Sequence, residues 1–197
     1  MLDICNVRCS EYKPSSLAQP ARNHDTQPAQ SLEADIEPFF KPLAYCLILL
    51  RNSGYPCVFY GDLYGIKGPH ATGPSCVGRL PDLCLIRKLY AYGPQTDYFD
   101  TPNCIGWTRQ GTWDRPDGLA CLMSNAGPNQ KIMHVGKLHA GELWTDVLGW
   151  ERRKVRIDRH GNGAFACPEL GVSVYVRNGA KGREGFGRLY VYPPGPL

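Results

Sequence analysis

The periodicity of the hydrophobic residues changes near residue 96, and this change constrains the fold more than any other feature of the sequence. Beyond it, apolar and polar residues alternate in short runs separated by Gly, Asn, Asp and Pro. The runs are 104–109 (CIGWTR), 118–125 (GLACLMSN), 131–136 (KIMHVG), 142–149 (ELWTDVLG), 154–158 (KVRID), 163–168 (GAFACP) and 172–177 (VSVYVR). Alternation with a period of two is typical of strands, and many short strands at close spacing predict an antiparallel β-sandwich.

The residues before 96 follow a different pattern, which is helical, then strand-like, then helical again. Apolar residues at helical spacing predict a helix that takes Ser31 as its N-cap and ends at Leu50. The apolar run 57–62 (CVFYGD) predicts a strand buried on both faces, and the amphipathic stretch 80–93 (LPDLCLIRKLYAYG) predicts a second helix. Helix, strand and helix in alternation indicate an α/β unit.

Composition and charge exclude several classes of function. The chain is 43% hydrophobic and 20% charged, which is the balance of a soluble globular protein. Its longest apolar run, 42–50, is too short to cross a bilayer, and 1–14 has no signal-peptide core, so we expect a cytoplasmic protein without a membrane partner. The densest charge cluster, 151–160, alternates with Val155 and Ile157, which indicates the polar face of a strand and no nucleic-acid partner.

The nine cysteines are odd in number and lie mostly in apolar stretches. In a chain without a signal peptide they are expected to be small buried hydrophobes in a reducing compartment. Cys5 and Cys9 lack a second pair of ligands, so the sequence does not predict a zinc site.

Two short motifs carry candidate chemistry. Asn23, His24 and Asp25 directly precede the first predicted helix, and Asp62 ends the predicted strand. At strand ends in a parallel barrel, both carboxylates would lie on the C-terminal face, where barrel enzymes hold their chemistry. The residues alone leave a second interpretation open, in which Asp25 caps the following helix and His24 packs beside it.

A resemblance to a known family distinguishes between these interpretations. The stretches 23–68, 87–107, 118–150 and 172–177 resemble the C-terminal part of α-amylases of glycoside hydrolase family 13, in the group of bacterial liquefying and intracellular fungal enzymes. The resemblance implies the end of a (β/α)₈ TIM barrel followed by the antiparallel β-sandwich.

Composition and the resemblance together divide the chain into four parts. The polar, aperiodic residues 1–22 match nothing in the family and predict a disordered leader, and the glycine- and proline-rich residues 179–197 predict a flexible tail. Between them, the resemblance implies the end of the catalytic barrel (23–95) and the β-sandwich domain (96–178). Two helices and one or two strands cannot close an eight-stranded barrel, so the sandwich is expected to be the stable part.

The family's site residues map onto the first motif. The resemblance implies that Asp25 orients the substrate and stabilises the oxocarbenium-like transition state, while His24 hydrogen-bonds the sugar. It further implies substrate contacts from Asn23 and Gln27. The implied partner is an α-glucan (starch, glycogen or a maltooligosaccharide), cut internally at α-1,4 bonds.

The sequence departs from the family pattern in its catalytic set. A retaining glycosidase needs a nucleophilic carboxylate and a second carboxyl group as acid/base, and the family supplies both upstream of the first motif. Residues 1–22 resemble neither segment, and 15–22 (SSLAQPAR) replaces the expected apolar strand. Asp62 is a poor substitute because an Asp after Tyr-Gly is typical of loops and caps. We therefore expect this chain to be inactive alone, with a non-catalytic carbohydrate-binding or packing module as the alternative.

Two further features concern metal and carbohydrate. The family's calcium site maps to Pro102, Asn103 and Asn125, and these residues lack the anionic oxygens that calcium prefers. The four tryptophans divide by context. Trp107 and Trp144 lie in alternating runs and are expected in the core, Trp150 lies between strands, and Trp113 in a polar loop is a candidate for surface glycan binding.

Overall fold

The structure is a computed structural model that describes residues 18–187, apart from residues 22, 28 and 31. Its first part pairs strand β1 (Ala18–Pro20) in parallel with β2 (Tyr55–Cys57). The α-helices are α1 (Lys41–Leu50), α2 (Tyr60–Tyr64) and α3 (Leu80–Tyr90), and short 3₁₀ turns occur at Cys76–Gly78, Lys137–His139 and Arg183–Gly185.

Helix α1 begins at Lys41, later than the sequence predicted. Pro42 lies in its first turn, where its missing N–H costs nothing. Pro38 disfavours helical geometry in the residue before it, so the apolar spacing upstream does not become helix. Ser31, the predicted N-cap, lies outside the described residues, and the N-cap is Phe40. Helix α3 confirms its prediction and buries Leu80, Leu83, Ile86 and Tyr90.

The predicted strand at 57–62 is wrong. The observed strand β2 is displaced toward the N-terminus, and its two end residues are exposed instead of buried on both faces. Gly61 and Asp62 belong to α2, and the Asp62 side chain forms buried hydrogen bonds with Tyr45 and Ser75. The prediction that no strand precedes the first motif is also wrong, since β1 occupies 18–20, inside the predicted leader. Residues 1–17 lie outside the described part of the chain.

The second part is an antiparallel sandwich, as predicted. Its strands are β3 (Gln95–Thr101), β4 (Cys104–Arg109), β5 (Leu119–Ser124), β6 (Asn129–His134), β7 (Leu143–Asp146), β8 (Val155–Arg156), β9 (Asn162–Cys167) and β10 (Gly171–Arg177). A six-stranded sheet has the order β3-β4-β5-β10-β7-β8, and β6 pairs with β9 in a second sheet. Each predicted run contains a strand, whereas β3 was not predicted.

Strand β5 shows how the six-stranded sheet is covered on both faces. Leu119, Cys121 and Met123 join a core with the helices, while Ala120 and Leu122 join a core with β6 and β9. Because side chains alternate across a strand, a strand buried on both faces is apolar throughout. We call these two clusters the helix-side core and the sandwich core.

The helix-side core joins the two parts of the chain. Leu43 and Leu83 from the helices are fully buried together with Trp107 and Val174 from the sheet. The apolar residues of the barrel segment are only partly exposed to water, since Leu43 is fully buried while Phe39 is 40% exposed. The expectation that the sandwich alone forms the stable part is therefore revised, since α1 and α3 share its buried surface.

The described part of the predicted flexible tail is packed against the fold. The Tyr90 hydroxyl donates to the Lys181 carbonyl (2.9 Å), and the Phe186 ring stacks on the Tyr90 ring with centroids 6.0 Å apart. The Arg183 guanidinium donates to the carbonyls of Val176 (3.2 Å) and Thr145 (3.3 Å). Glycine-rich composition suggested fraying, but these contacts order the segment to residue 187. Residues 188–197 lie outside the described part.

The cysteines behave mainly as small hydrophobic residues. Cys46, Cys76, Cys104, Cys121 and Cys167 are buried free thiols, while Cys57 is exposed. Cys5 and Cys9 lie outside the described residues. In the part of the chain that the structure describes, no helix is long and apolar enough to cross a membrane.

Candidate functional site

The Asn23–His24–Asp25 motif forms a tight turn directly after β1. The Asn23 side-chain oxygen accepts hydrogen bonds from the backbone N–H groups of Asp25 and Thr26, both at 3.0 Å. The Asn23 N–H in turn donates to the Thr26 hydroxyl (3.1 Å). This arrangement is an Asx-turn, a local alternative to helix that Asn forms readily. Asn23 therefore shapes the turn that presents the next two side chains.

His24 and Asp25 lie together on the outside of this turn. The distance between His24 Nε2 and Asp25 Oδ1 is 3.2 Å, and the side chains are 81% and 56% exposed. Gln27 is half-buried, and its carbonyl accepts the Gln30 N–H at 3.3 Å. Asp25 does not cap α1, which has no side-chain cap. The capping interpretation is therefore wrong, and the pair is open to a ligand.

The ends of β1 and β2 lie at the same edge of the parallel pair. In the register Pro20 lies opposite Cys57, so the turn that carries Asp25 and the helix that carries Asp62 follow neighbouring strand ends. The prediction that Asp62 ends its strand is wrong, since Asp62 lies within α2. The two side chains also differ in environment, because Asp25 is exposed and Asp62 is 1% exposed.

Asp62 is the centre of a buried polar network. Its two oxygens accept hydrogen bonds from the Tyr45 and Ser75 hydroxyls, each at 2.6 Å. Lys41 Nζ lies 3.9 Å from Oδ1 and also 3.3 Å from the Asp35 carboxylate. Burial, followed by the hydrogen bond and charge of Asp62, raises the pKa of the Tyr45 hydroxyl well above its usual range. A carboxylate held in this way stabilises the fold and cannot reach a substrate.

The sequence did not indicate this network. Its members come from α1, α2 and the loop before α3, and the hydrogen bonds span 17 and 13 residues along the chain. Tyr45 lies within an apolar helical run and Ser75 in a glycine-rich loop, where neither carries a motif.

The residues at the family's calcium position lie together but do not suit calcium. The Asn125 N–H donates to the Asn103 carbonyl (3.1 Å), which brings the two loops into contact. The nearby Asp100 carboxylate forms an ion pair with Lys131. Within the described residues, no cluster of three or more His, Cys, Asp or Glu could hold a metal ion. Amides without free carboxylates do not fit the oxygen chemistry of Ca²⁺.

The tryptophans divide as predicted. Trp107 lies in the helix-side core and Trp144 in the sandwich core, both fully buried, while Trp150 is half-buried. Trp113 is 95% exposed on the loop between β4 and β5. It borders a groove that Leu138 also lines. Leu138 was not predicted, because an isolated leucine after a strand has no pattern that indicates binding.

The fold defines the class of protein to which this chain belongs. A parallel βα unit whose helices pack on an antiparallel sandwich corresponds to the end of a (β/α)₈ barrel followed by a C-terminal β-sandwich. Comparison with known proteins then identifies the relatives of this chain. It is 45% identical over 184 residues to the cytoplasmic α-amylase of Escherichia coli K12, a match that covers 89% of this chain and 37% of that protein.

A second relative supports the same assignment. The chain is 42% identical over 177 residues to the glucan 1,4-α-maltohexaosidase of Bacillus sp. strain 707, covering 89% of this chain and 34% of that protein. The matches cover the C-terminal part of these proteins. The resemblance to α-amylases of glycoside hydrolase family 13 is thus confirmed, and the chain spans about a third of the length of the relatives it matches. No protein-family profile matches the chain.

Solved structures agree with the fold. The Anoxybacillus α-amylase matches with a TM-score of 0.57 and 16% identity, covering 81% of this chain and 37% of that one. At this identity the likeness concerns architecture alone.

Proposed function

We propose that this chain is the C-terminal part of an α-amylase-type glycoside hydrolase that cuts α-1,4 bonds within starch or glycogen. The observation that carries the proposal is the exposed His24–Asp25 pair at the carboxyl end of β1, within a chain related to α-amylases. A cytoplasmic location is part of the proposal, supported by the name of the Escherichia coli relative.

In the proposed mechanism, Asp25 stabilises positive charge that develops at the anomeric carbon. His24 donates to or accepts from a sugar hydroxyl beside it, and Asn23 holds the turn in place. Gln27 is the remaining candidate for a substrate contact. Fixed charges act strongly on a transition state when water is excluded. Asp25 is 56% exposed in this chain, so its effect on a bound sugar would be screened.

The nucleophile and the proton donor are not accounted for by the residues that the structure describes. Asp62, which follows the neighbouring strand, is occupied by Tyr45, Ser75 and Lys41. Asp25 can orient a sugar, but the covalent intermediate of a retaining enzyme also needs a nucleophilic carboxylate and a second carboxyl group as acid/base. We therefore expect the 197-residue chain to release no reducing ends from soluble starch.

A chimera tests the proposed role of Asp25. The matching C-terminal segment of the Escherichia coli α-amylase is replaced by residues 23–187 of this chain, and starch hydrolysis is measured. We expect an active chimera in which Asp25→Asn lowers kcat by at least about 100-fold, because loss of one catalytic group costs orders of magnitude. Glu37→Gln, an exposed carboxylate in the same segment, is the matched control and is expected to retain activity.

Two results would contradict the proposal. An active chimera that tolerates Asp25→Asn would remove this residue from the catalytic set. Starch hydrolysis by the 197-residue chain alone, abolished by Asp25→Asn, would mean that other residues of the chain complete the site.

The second candidate function is a non-catalytic carbohydrate-binding module. One observation favours it, namely the exposed Trp113 beside a groove of the sandwich. The two functions are compatible, because a binding surface can belong to an enzyme.

A further inference from the structure

Trp113 stands at the tip of a short, ordered loop. Thr112 and Arg115 exchange two backbone hydrogen bonds, at 2.8 and 3.1 Å, so Trp113 and Asp114 form a two-residue tip. The Thr112 hydroxyl donates to Asp114 Oδ1 at 2.7 Å. Trp113 is 95% exposed, which is unusual for so large an aromatic side chain.

The base of the loop is locked onto the end of α3. Arg115 donates to the Lys88 carbonyl at 2.8 Å, and its guanidinium lies 4.2 Å from the Tyr92 ring centroid. The Gly111 N–H donates to the Tyr92 carbonyl (3.0 Å), and a Cβ on Gly93 would lie 1.7 Å from the Gly111 oxygen. The loop therefore presents the indole from a fixed position, and such preorganisation favours binding.

The opposite wall of the groove is equally well held. Leu138 is 96% exposed on the 3₁₀ turn Lys137–His139. Beneath it, His139 Nδ1 lies 2.8 Å from Glu142 Oε2, and the His139 ring meets Trp144 edge-on with centroids 5.1 Å apart. Two exposed apolar side chains thus flank the groove, each on an anchored segment.

The groove between these walls has a volume of about 740 Å³. This lies within the range of roughly 300–1,000 Å³ that is typical of small-ligand sites. Gln110 and His134 contribute planar hydrogen-bonding groups to the lining, and the Gln110 amide nitrogen lies 3.5 Å from His134 Nδ1. The groove therefore combines apolar edges with polar groups that can both donate and accept.

Two of the charged side chains that line the groove are engaged by neighbouring residues. Arg177 forms an ion pair with Asp117, and Glu142 accepts a hydrogen bond from Trp144 Nε1 at 3.2 Å. Lys137 is the other cation of the lining, and one lysine does not supply the run of cations that a nucleic acid requires. Its chemistry suits a neutral ligand that has both apolar faces and hydroxyl groups.

We propose that this groove, lined by Trp113, Leu138, Gln110 and His134, is a surface binding site for α-1,4-glucan chains. The indole stacks on the apolar C–H face of a glucosyl unit, Leu138 contacts the next unit, and Gln110 and His134 bond hydroxyls. The choice of an α-1,4-glucan rests on the proposed function, whereas the binding of a neutral glycan rests on the groove itself.

Tryptophan fluorescence provides the first test, using the 197-residue chain. Trp107 and Trp144 are fully buried and Trp150 is half-buried, so the difference in acrylamide quenching between the wild type and Trp113→Ala reports Trp113. We expect maltoheptaose to lower the quenching constant of the protein, and dextran of similar length to leave it unchanged. Failure of maltoheptaose to protect the fluorescence would overturn the proposal.

Affinity electrophoresis in amylopectin gels provides the second test. Trp113→Ala is expected to weaken binding by roughly tenfold, while Trp113→Tyr retains part of it because the stacking face persists. Tyr55→Ala removes an exposed aromatic side chain on β2 and is the matched control, with unchanged mobility expected. Equal retardation of Trp113→Ala and the wild type would overturn the proposal. A third result would also overturn it, namely a wild-type dimer that Trp113→Ala abolishes, together with no protection by maltoheptaose. The groove would then bind a second copy of the chain.

The design separates this proposal from the proposed function. Asp25→Asn is expected to leave the protection of Trp113 by maltoheptaose intact. If Asp25→Asn abolished retardation and Trp113→Ala did not, glucan would bind at the motif and the groove proposal would fail. If the chimera proved insensitive to Asp25→Asn while Trp113 protection persisted, only the proposed catalytic role would fail.

Discussion

Asp62 illustrates how one buried carboxylate can look catalytic in the sequence and be structural in the fold. The sequence placed it at a strand end, where barrels hold catalytic carboxylates, yet it lies within α2, is 1% exposed and is bonded to two hydroxyls. The exposed Asp25 follows the neighbouring strand and lacks such partners in its turn, apart from His24. The sequence predicted that both residues come after neighbouring strands, but it missed the helix that holds Asp62, whose environment depends on contacts between segments that are distant along the chain.

The network around Asp62 leads to a stability prediction. Asp62→Ala should lower the free energy of unfolding by about 2–4 kcal/mol, because two buried hydroxyls and Lys41 lose their common partner. Tyr45→Phe should cost about 1–2 kcal/mol, and the double variant less than the sum, since both changes remove the same hydrogen bond. Urea unfolding measures these values, with the exposed Asp114→Asn as control. A loss below about 0.5 kcal/mol for Asp62→Ala would contradict a structural role.

At the scale of elements, the connection from α3 to β3 depends on close packing of backbone against backbone. Gly93 has φ +78°, and a Cβ there would lie 1.7 Å from the Gly111 oxygen. Gly141 has a similar φ of +81° but open space around its Cα. The two glycines therefore separate the effect of backbone conformation from the effect of crowding.

Replacement of each glycine by alanine measures that difference. Gly141→Ala should lower the free energy of unfolding by about 1 kcal/mol, because a residue with a side chain is strained in the left-handed conformation. Gly93→Ala should lower the free energy of unfolding by at least about 2 kcal/mol more, because its Cβ would collide with Gly111 and displace the loop that carries Trp113. Thermal and urea unfolding report the loss of stability in each variant. Equal effects of the two substitutions would contradict the packing of this connection.

The sequence predicted elements well where the hydrophobic periodicity agreed with the residues that begin and end an element. Helix α3 has an apolar face, a proline in its first turn and a glycine after its end, and its prediction held. Helix α1 was predicted too long because apolar spacing continues upstream through Pro38, where the backbone cannot follow it. Strand β3 was missed because its residues 95–101 are mostly polar and half-exposed, and β1 was missed because three residues carry too little pattern.

The candidate site was predictable only in part. The resemblance assigned roles to His24 and Asp25, and the structure brings the two side chains to 3.2 Å. Trp113 was selected from its polar loop, and it is exposed. Leu138 and the fixed geometry of the groove could not be predicted, because they arise from the contact of the β4–β5 loop with the segment after β6, which are remote in the sequence.

At the scale of the whole molecule, the helix-side core makes the helices and the sandwich one cooperative unit. Limited proteolysis with trypsin should leave a resistant product from roughly residue 40 to residue 187, because cleavage inside either part requires the shared core to open. Leu43→Ala should speed cleavage at the helices and at the sandwich together, since it leaves a cavity in their common core. Mass spectrometry of the products measures both. A resistant product that begins near residue 95 would contradict this view.

The shared core also determines which stretch of this chain can be inherited or transplanted as a unit. A recombination event that joined a foreign sequence at residue 95 would deliver a sheet whose Ile105, Cys121 and Val174 side chains had evolved against helices left behind in the parent gene. Such a sheet would meet water on an apolar face and aggregate. Crossovers that preserve solubility therefore lie before Lys41, so that α1 and α3 travel with the sandwich.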